Sequence, residues 1–300
     1  MTKRIYIKIP ASIGNMGSGF DCAGLSLKFY NEFTVTRAAR MKISFSDTHY
    51  SVSSKNVSGL FSRAFAAGLK YYGENTFPVE MAIENKIPFK RGFGSSATVV
   101  LAAVISGLLF AGRRIIKKEV LRIAFPFEGH IDNLAASLYG GFVLGGNEGK
   151  TVVRIPAPEM LRVIAFVPGE GLSTKSARDI LPDKVPLSDA VYNMANYGML
   201  CSAFFLKDMS ILKFGLRDRL HQPYRSKIIP HLEGLTEREI SPYVIGACLS
   251  GAGPSVVFFA TDKNVKKALS AVTNAINEKN IKGDIHIIIP GGRTIWKIIE

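Results

Sequence analysis

Cysteine is scarce in this chain of 300 residues. The three present, Cys22, Cys201 and Cys248, are odd in number and widely spaced, which fits neither a disulfide framework nor a cysteine-ligated metal centre. No apolar run reaches the ~20 residues that cross a bilayer. The opening Met1-Thr-Lys-Arg-Ile-Tyr-Ile7 lacks the apolar core of a signal peptide, so a cytoplasmic protein with no membrane partner is expected. There is no internal repeat and no low-complexity segment. Acidic residues are also few, 24 against 38 Lys and Arg, for a formal charge of +14. Such an excess suits either nucleic acid or an enzyme for anionic substrates such as nucleotides. The cations are spread along the chain in short doublets, Arg113-Arg114 and Lys117-Lys118, without interleaved aromatics. Nucleic acid is therefore not the expected partner.

What is present is apolar and organised. A hydrophobic content of 47% in 300 residues supports a sizeable core, more comfortably as two domains than one. The most informative stretch is Pro88-Phe89-Lys90-Arg91-Gly92-Phe93-Gly94-Ser95-Ser96-Ala97, which opens through Thr98 into an apolar helix running to about Ala111. Its two glycines allow the backbone to pass close to a ligand. Its serines offer hydroxyls, and the helix start offers unpaired N–H groups and a positive dipole end. An anion, above all a phosphate, suits that place; an ordinary Gly/Ser loop capping a buried helix is the plainer reading. The helix, apolar nearly all round, is expected in the core.

Strands are expected at Ile5–Pro10, Asn31–Thr36 and Phe77–Ile83, and helices at Asn56–Tyr72, Lys117–Phe125 and Asn133–Leu138. A Gly-rich turn cluster at 145–149 and Pro156-Ala-Pro158 set a boundary, giving domains 1–155 and 156–300. Beyond it come strand Leu161–Val167, helix Ala190–Leu206, a loop-rich stretch at 215–230, strands Val244–Leu249 and Ser255–Ala260, helix Asn264–Asn280 and strand Asp284–Ile289. That order suits an α+β plait with helices on one face of an antiparallel sheet. Gly149-Lys150-Thr151 imitates the end of a Walker A loop, but Leu144 stands where a glycine is needed and a strand follows, so it is set aside.

Three further segments carry chemistry: Pro10-Ala-Ser-Ile-Gly14-Asn15-Met-Gly17-Ser-Gly19-Phe20-Asp21, Glu128-Gly-His130-Ile-Asp132-Asn133, and Leu249-Ser250-Gly251-Ala-Gly253-Pro254-Ser255. Singly they could be a strand-ending turn, a helix start capped by Asp132, and a hairpin loop. With the serine-rich loop, the first and third resemble the three motifs of the GHMP family of small-molecule kinases, and Glu128–Asn133 is similar to the EGHxDN string of the branch of that family that phosphorylates L-homoserine. Ser173-Thr-Lys-Ser-Ala-Arg178 and Asp218-Arg-Leu-His-Gln-Pro-Tyr-Arg225 are similar to strings of the branch that phosphorylates L-homoserine. The resemblance covers nearly the whole chain. It departs where the family carries proline, at Ser18 and Ile131, and where it carries Glu, at Ser176. Losing those prolines leaves both loops slightly freer. Mevalonate and galactose kinases share a Lys or Arg at the place of Ser12.

The resemblance implies a two-domain α+β fold, a ribosomal-protein-like βαβ N-terminal domain with a ferredoxin-like C-terminal plait, and ATP between them on the glycine loop. It implies Mg²⁺-assisted transfer of the γ-phosphoryl group to L-homoserine, as in threonine biosynthesis, by a homodimer. Residues 88–98 hold ATP, and Ser96 and Glu128 contact Mg²⁺, a hard cation that prefers oxygen ligands. Ser250 and Gly251 line the phosphate or acceptor side. Asp21 takes the ammonium of the acceptor, and Arg178 and Arg225 grip its carboxylate as planar forks. Asn15 and Asn133 hold the hydroxyl or amino group, and Thr174 and His130 complete the wall. Sister kinases use an aspartate base, which string alignment places at Asp132. The homoserine branch works without one, so Asn133 orients the hydroxyl, the proton leaves on a phosphate oxygen and Asp132 is a brace. A kinase for a sugar or isoprenoid alcohol, and a silent basic binding protein, are the rival readings. Ser12 and the paired arginines speak against the first, Glu128 against the second.

Overall fold

The computed structural model of the chain describes residues 3–46, 54–146, 149–236 and 240–299; Asn147 and Glu148 of the turn cluster lie outside them. The first half runs β1 (Arg4–Ile13), β2 (Ala23–Arg37), β3 (Lys42–Ser46), α1 (Ser54–Lys70), β4 (Val79–Glu84), α2 (Ser95–Phe110), α3 (Lys117–Glu128), α4 (Asp132–Tyr139), β5 (Phe142–Gly146) and β6 (Thr151–Ile155). The second runs β7 (Leu161–Pro168), α5 (Thr174–Asp179), α6 (Leu187–Leu206), α7 (Met209–Gly215), α8 (Gln222–Arg225), α9 (Glu233–Thr236), β8 (Gly246–Leu249), β9 (Val256–Thr261), α10 (Val265–Glu278), β10 (Gly283–Ile288) and β11 (Ile295–Ile299).

The first sheet has the order β11-β1-β2-β4-β3, with β5 on the near end of β2 and β6 beside β5. β2 serves two partners because it is long: Ala23–Leu25 pair with β5, and Glu32–Arg37 with β4. Only its second half was expected, since residues 23–27 are buried without the alternation that marks a half-buried strand. The β1–β2 register shifts between Pro10 and Ser12, where proline withholds an N–H from the ladder. Beyond the shift, Ser12 N donates to Phe93 O at 3.1 Å, so the end of β1 is tied to the glycine loop.

α2 is the core helix its sequence promises. Every residue but Ser96 and Phe110 is buried, packed by α1, α3 and α4 against β1, β2 and β4. Burying such a helix on all sides demands apolar residues all round, and the exposed exception, Ser96, opens onto the site.

The second sheet is antiparallel, β10-β7-β9-β8. Alternate residues of β7 and β9 face opposite ways, as a two-residue side-chain period requires. Ile164, Phe166, Val256 and Phe258 meet α9 and α10. Val163, Ala165, Val257 and Phe259 meet α6, α7 and the first half, through a cluster that includes Ile13, Leu25, Phe93 and Phe142. Phe142 stacks on Phe204 at a centroid distance of 4.0 Å, so the two halves share this core. Residue 155 ends the last strand before the second sheet begins. β11 departs from a simple division there: it returns to pair with β1 in the first sheet. The loop-rich stretch at 215–230 contains α8, a single turn too short for a periodic signal.

Candidate active site

The end of β1, the loop before α2, the start of α4, α5, α8 and the β8–β9 turn converge on one cleft of about 910 Å³. Its lining includes Asn15, Pro88 through Ser96, Glu128, His130, Asn133, Thr174, Arg178, Arg225 and Gly251. Ala97, Thr98, Asp21, Asp132 and Ser250 are not in that lining. Ala97 and Thr98 are buried in the core, and Thr98 donates to Ser95 O at 2.8 Å.

The glycine loop is built for close approach. Gly92 has φ 84° and Gly94 φ 67°, and a Cβ on Gly92 would stand 1.9 Å from Ser250 O. Gly94 caps α2 without a side-chain hydrogen bond, which leaves first-turn N–H groups open. Ser95 Oγ is buried and has no hydrogen-bond partner among the described residues. A buried hydroxyl beside open N–H groups wants an acceptor, and phosphate oxygens supply several. Ser250, expected to line the site, instead clasps this loop: its Oγ donates to Gly92 O at 2.9 Å, while Gly251 N donates to Gly14 O at 3.0 Å. The third motif thereby fastens the other two. Asn15, Asp21 and Lys90 all take left-handed φ values, 51°, 56° and 54°, a strained state for side-chain-bearing residues that gathers at this cleft.

At the start of α4, Asp132 is fully buried. It does not cap the helix, whose cap residue is Ile131. Its Oδ2 accepts from Asn15 N at 2.8 Å and its Oδ1 from Asn133 N at 2.8 Å, with His130 Nδ1 2.6 Å away. Burial would raise the carboxyl pKa, but the hydrogen bond and charge of His130 and the two N–H groups outweigh it and hold it below the ordinary value. Burial likewise disfavours the His130 cation, yet Asp132, with Glu128 and Asp21, lifts the imidazole to about 9. Asn133 Oδ1 accepts from Ser12 Oγ at 2.9 Å, which orients its amide at the cleft floor. Across the mouth, Ser96 Oγ donates to Glu128 Oε1 at 2.6 Å. Burial raises the Glu128 pKa, against the Ser96 bond and His130.

The acceptor end differs from expectation in one pair. Arg178 does not stand free for a carboxylate: its Nη2 donates to both oxygens of Asp21, at 2.7 and 2.9 Å. Both side chains are partly exposed, 45% and 32%, so this pair is worth at most ~1 kcal/mol and opens easily. Arg225 is the opposite case, 1% exposed, and among the described residues it forms no ion pair, the charges of Asp21, Asp218 and Asp132 acting on it only from further off. Its Nε donates to Ala177 O at 3.0 Å and its Nη1 to Gly251 O at 3.2 Å. Burial, with the charge of Arg178, pushes its pKa down to about 10. A cation buried in this way favours an anion beside it.

Sequence reasoning passed over Phe20, whose ring lies 5.4 Å from both the Arg178 and Arg225 guanidinium carbons, and His221, stacked on Phe20 at 5.3 Å. Both stand inside quoted strings, but a long-range stack leaves no local signal. Ser18, in place of a family proline, is no freer for it. Its N and Oγ both bond Gly215 O, at 3.1 and 2.8 Å, and the first of these a proline could not make. Likewise Ser176 N donates to Ser173 Oγ at 3.0 Å, capping α5.

A two-sheet fold with a glycine loop at the start of a buried helix between its halves, and two arginines lining the same cleft, suits a small-molecule kinase. The chain belongs to the GHMP kinase family: residues 59–141 match the family's "GHMP kinases N terminal domain" and residues 202–278 its "GHMP kinases C terminal". Within that family its relatives are homoserine kinases. That of Halothermothrix orenii is 37% identical, over 92% of this chain and 90% of its own length. That of Aquifex aeolicus is 34% identical, over 91% and 92%. The crystal structure of homoserine kinase from Cytophaga hutchinsonii superposes with a TM-score of 0.83 at 27% identity, over 99% of this chain and 97% of that one.

Proposed function

We propose that this chain transfers the γ-phosphoryl group of ATP to the side-chain hydroxyl of L-homoserine, yielding O-phospho-L-homoserine and ADP. The observation that carries the choice of acceptor is the buried Arg225 without a counter-ion, in the same cleft as the phosphate cradle. An acceptor with a carboxylate fills that need and a sugar does not, while the Asp21 carboxylate beside it favours an amino acid over mevalonate, which has a carboxylate but no ammonium. An assay of ADP release with homoserine, serine, mevalonate and galactose tests it, with homoserine expected to turn over fastest. Faster turnover of mevalonate or galactose would overturn it.

The open N–H groups at the start of α2, with Ser95 Oγ, bind the phosphates, and the apolar wall of Val57, Leu60 and Val99 suits the purine. Asp21 and Arg225 hold the ammonium and carboxylate of homoserine, Arg178 joins once its pair with Asp21 opens, and Thr174 and His130 close the wall. Asn15, whose Oδ1 accepts from Asp21 N at 2.8 Å, and Asn133 steer the hydroxyl.

Ser96 and Glu128 would hold Mg²⁺. Two oxygen ligands at the mouth, one a carboxylate destabilised by burial, fit a hard cation that keeps several waters and shares the phosphates. Bound there, the metal would neutralise charge on the transferring group. Among the described residues no three His, Cys, Asp or Glu form a metal cluster, so the protein's share is these two oxygens. Glu128→Gln is expected to raise the Mg²⁺ concentration for half-maximal rate by about tenfold or more, the usual order for weakened ligation. An unchanged Mg²⁺ titration would remove Glu128 from the metal site.

No general base is needed where the transition state is loose, and the proton of the hydroxyl can leave on a phosphate oxygen. Asp132 is engaged on both oxygens and stands outside the cleft lining, which supports its role as a brace. Asp132→Asn should cost kcat less than the ~10²–10⁴-fold of general-base catalysis, and Asn133→Leu should cost more. A folded Asp132→Asn enzyme that binds both substrates but turns over a thousandfold slower, without the acid limb of its pH profile, would make Asp132 the base.

The other proposed partner is a second copy of the chain; nucleic acid and membranes are not among them, and the place of work is the cytoplasm, where ATP is available. The outer face of α6 supports the dimer, with Leu187, Val191, Met194 and Phe205 exposed at 78, 51, 65 and 75%. Sedimentation should give a two-chain mass that Val191→Glu reduces to one. A monomeric wild type would end the proposal.

A further inference from the structure

Beside the acceptor end lies a fully buried histidine that the reaction as described does not use. His221 Nε2 stands 2.9 Å from Gly17 O, a group that only accepts. Its Nδ1 stands 3.0 Å from Arg225 Nη1, a group that only donates. These two partners admit one state of the ring, neutral, with its proton on Nε2 and a lone pair on Nδ1. The ring plane is set by the stack on Phe20, 23° from parallel. Asp218 Oδ2 lies 3.5 Å from the same Nε2, which favours the proton there, and the carboxylate also accepts from the N–H groups of Leu220, His221 and Gln222, at 2.9, 2.9 and 2.7 Å. The His221 imidazole is held below its ordinary pKa by burial first and by Arg225, against Asp218, the Gly17 carbonyl and Asp21.

We propose that His221 is a positioning residue: as the neutral Nε2–H tautomer, it holds the Arg225 guanidinium so that Nη2, which has no partner among the described residues, is turned to the carboxylate of the acceptor. The proposal deepens the reading of Arg225 as the carboxylate receptor and rests on it. Three of the five N–H bonds of Arg225 are taken, by Ala177 O, Gly251 O and His221 Nδ1. The carbonyls fix where the guanidinium sits, and the histidine joins it to the Gly17 loop of the first motif. A long side chain with several rotors recognises an anion well only when its guanidinium is fixed beforehand. A carboxylate in the place of His221 would neutralise Arg225 and compete with the substrate; a protonated imidazole would set an N–H against the guanidinium. Only a neutral acceptor orients the cation and leaves its charge available.

The test is steady-state kinetics of His221→Phe, His221→Asn and Arg225→Ala. His221→Phe keeps the stack and loses both hydrogen bonds. It should raise the homoserine KM about ten- to a hundredfold, the order for a hydrogen bond to a charged group, with kcat within about threefold and the ATP KM unchanged. His221→Asn, which keeps an acceptor near the place of Nδ1, should recover much of the loss. Should the phenylalanine variant not fold, His221→Gln, which keeps the donor towards Gly17, replaces it, and asparagine must then bind homoserine better than glutamine. An unchanged homoserine KM in His221→Phe, or an equal rise in both KM values, overturns the proposal. If Arg225→Ala itself leaves the homoserine KM unchanged, the carboxylate reading fails instead.

Discussion

Replacement of Arg225 by alanine is expected to raise the homoserine KM about 10²- to 10³-fold while leaving the ATP KM near its original value. The size follows from burial. Arg225 is 1% exposed and its own pKa is depressed to about 10, so the fold keeps a costly cation in place without a carboxylate to match it. An acceptor carboxylate completes the pair in a water-poor site, and truncating one side of a buried, hydrogen-bonded charge pair costs ~2–5 kcal/mol. An amino alcohol lacking the carboxylate should suffer similarly on the unaltered enzyme, because the cation is then left unpaired. Arg178→Ala should cost much less, since Arg178 is half-exposed and already engaged by Asp21. Kinetics with each substrate varied in turn decide the matter. A selective rise in the ATP KM for Arg225→Ala would move this residue to the nucleotide side.

The second large effect is expected from the smallest change, Gly92→Ala. The added methyl would stand 1.9 Å from Ser250 O, on a backbone whose φ of 84° already disfavours any side chain. Neither contact can relax locally, because Ser250 Oγ also bonds Gly92 O. The β8–β9 turn and the phosphate loop must separate, and the N–H groups at the start of α2 lose their aim. The ATP KM should rise about a hundredfold, with a loss of thermal stability of several degrees, since strain at such a residue alone is worth ~1–2 kcal/mol. Nucleotide titration of the folded variant checks it. Near-normal ATP affinity would show that the loop does not depend on its clasp. Gly146→Ala, with nothing within 4 Å of the added methyl, is the control.

Much of this molecule was legible before its coordinates. The apolar run after Ser95 could only be a buried helix. The glycine loop ahead of it, the three other motifs and the apolar runs of β7 and β9 all carry their meaning in adjacent residues, because backbone conformation and hydrophobic patterning are local properties. The ranges that match the family, 59–141 and 202–278, take in the glycine loop, Glu128–Asn133 and the third motif.

Other features were decided only when distant segments met. Asp21 and Arg178 are 157 positions apart, and nothing local predicts that they pair with each other before either meets a substrate. Ser250 reads as a ligand in its glycine turn, yet it becomes a clasp because Gly92 lies opposite. β11 belongs to the first sheet although it follows the second, since β1 has an edge that no nearer strand covers. The tautomer of His221 depends on a carbonyl 204 positions away. Local sequence sets what each segment can offer, through propensity, period and hydrogen-bonding capacity. Which donor meets which acceptor, and which charge is left unmatched in the cleft, is settled by the packing of the two halves, where burial makes every unpaired group costly.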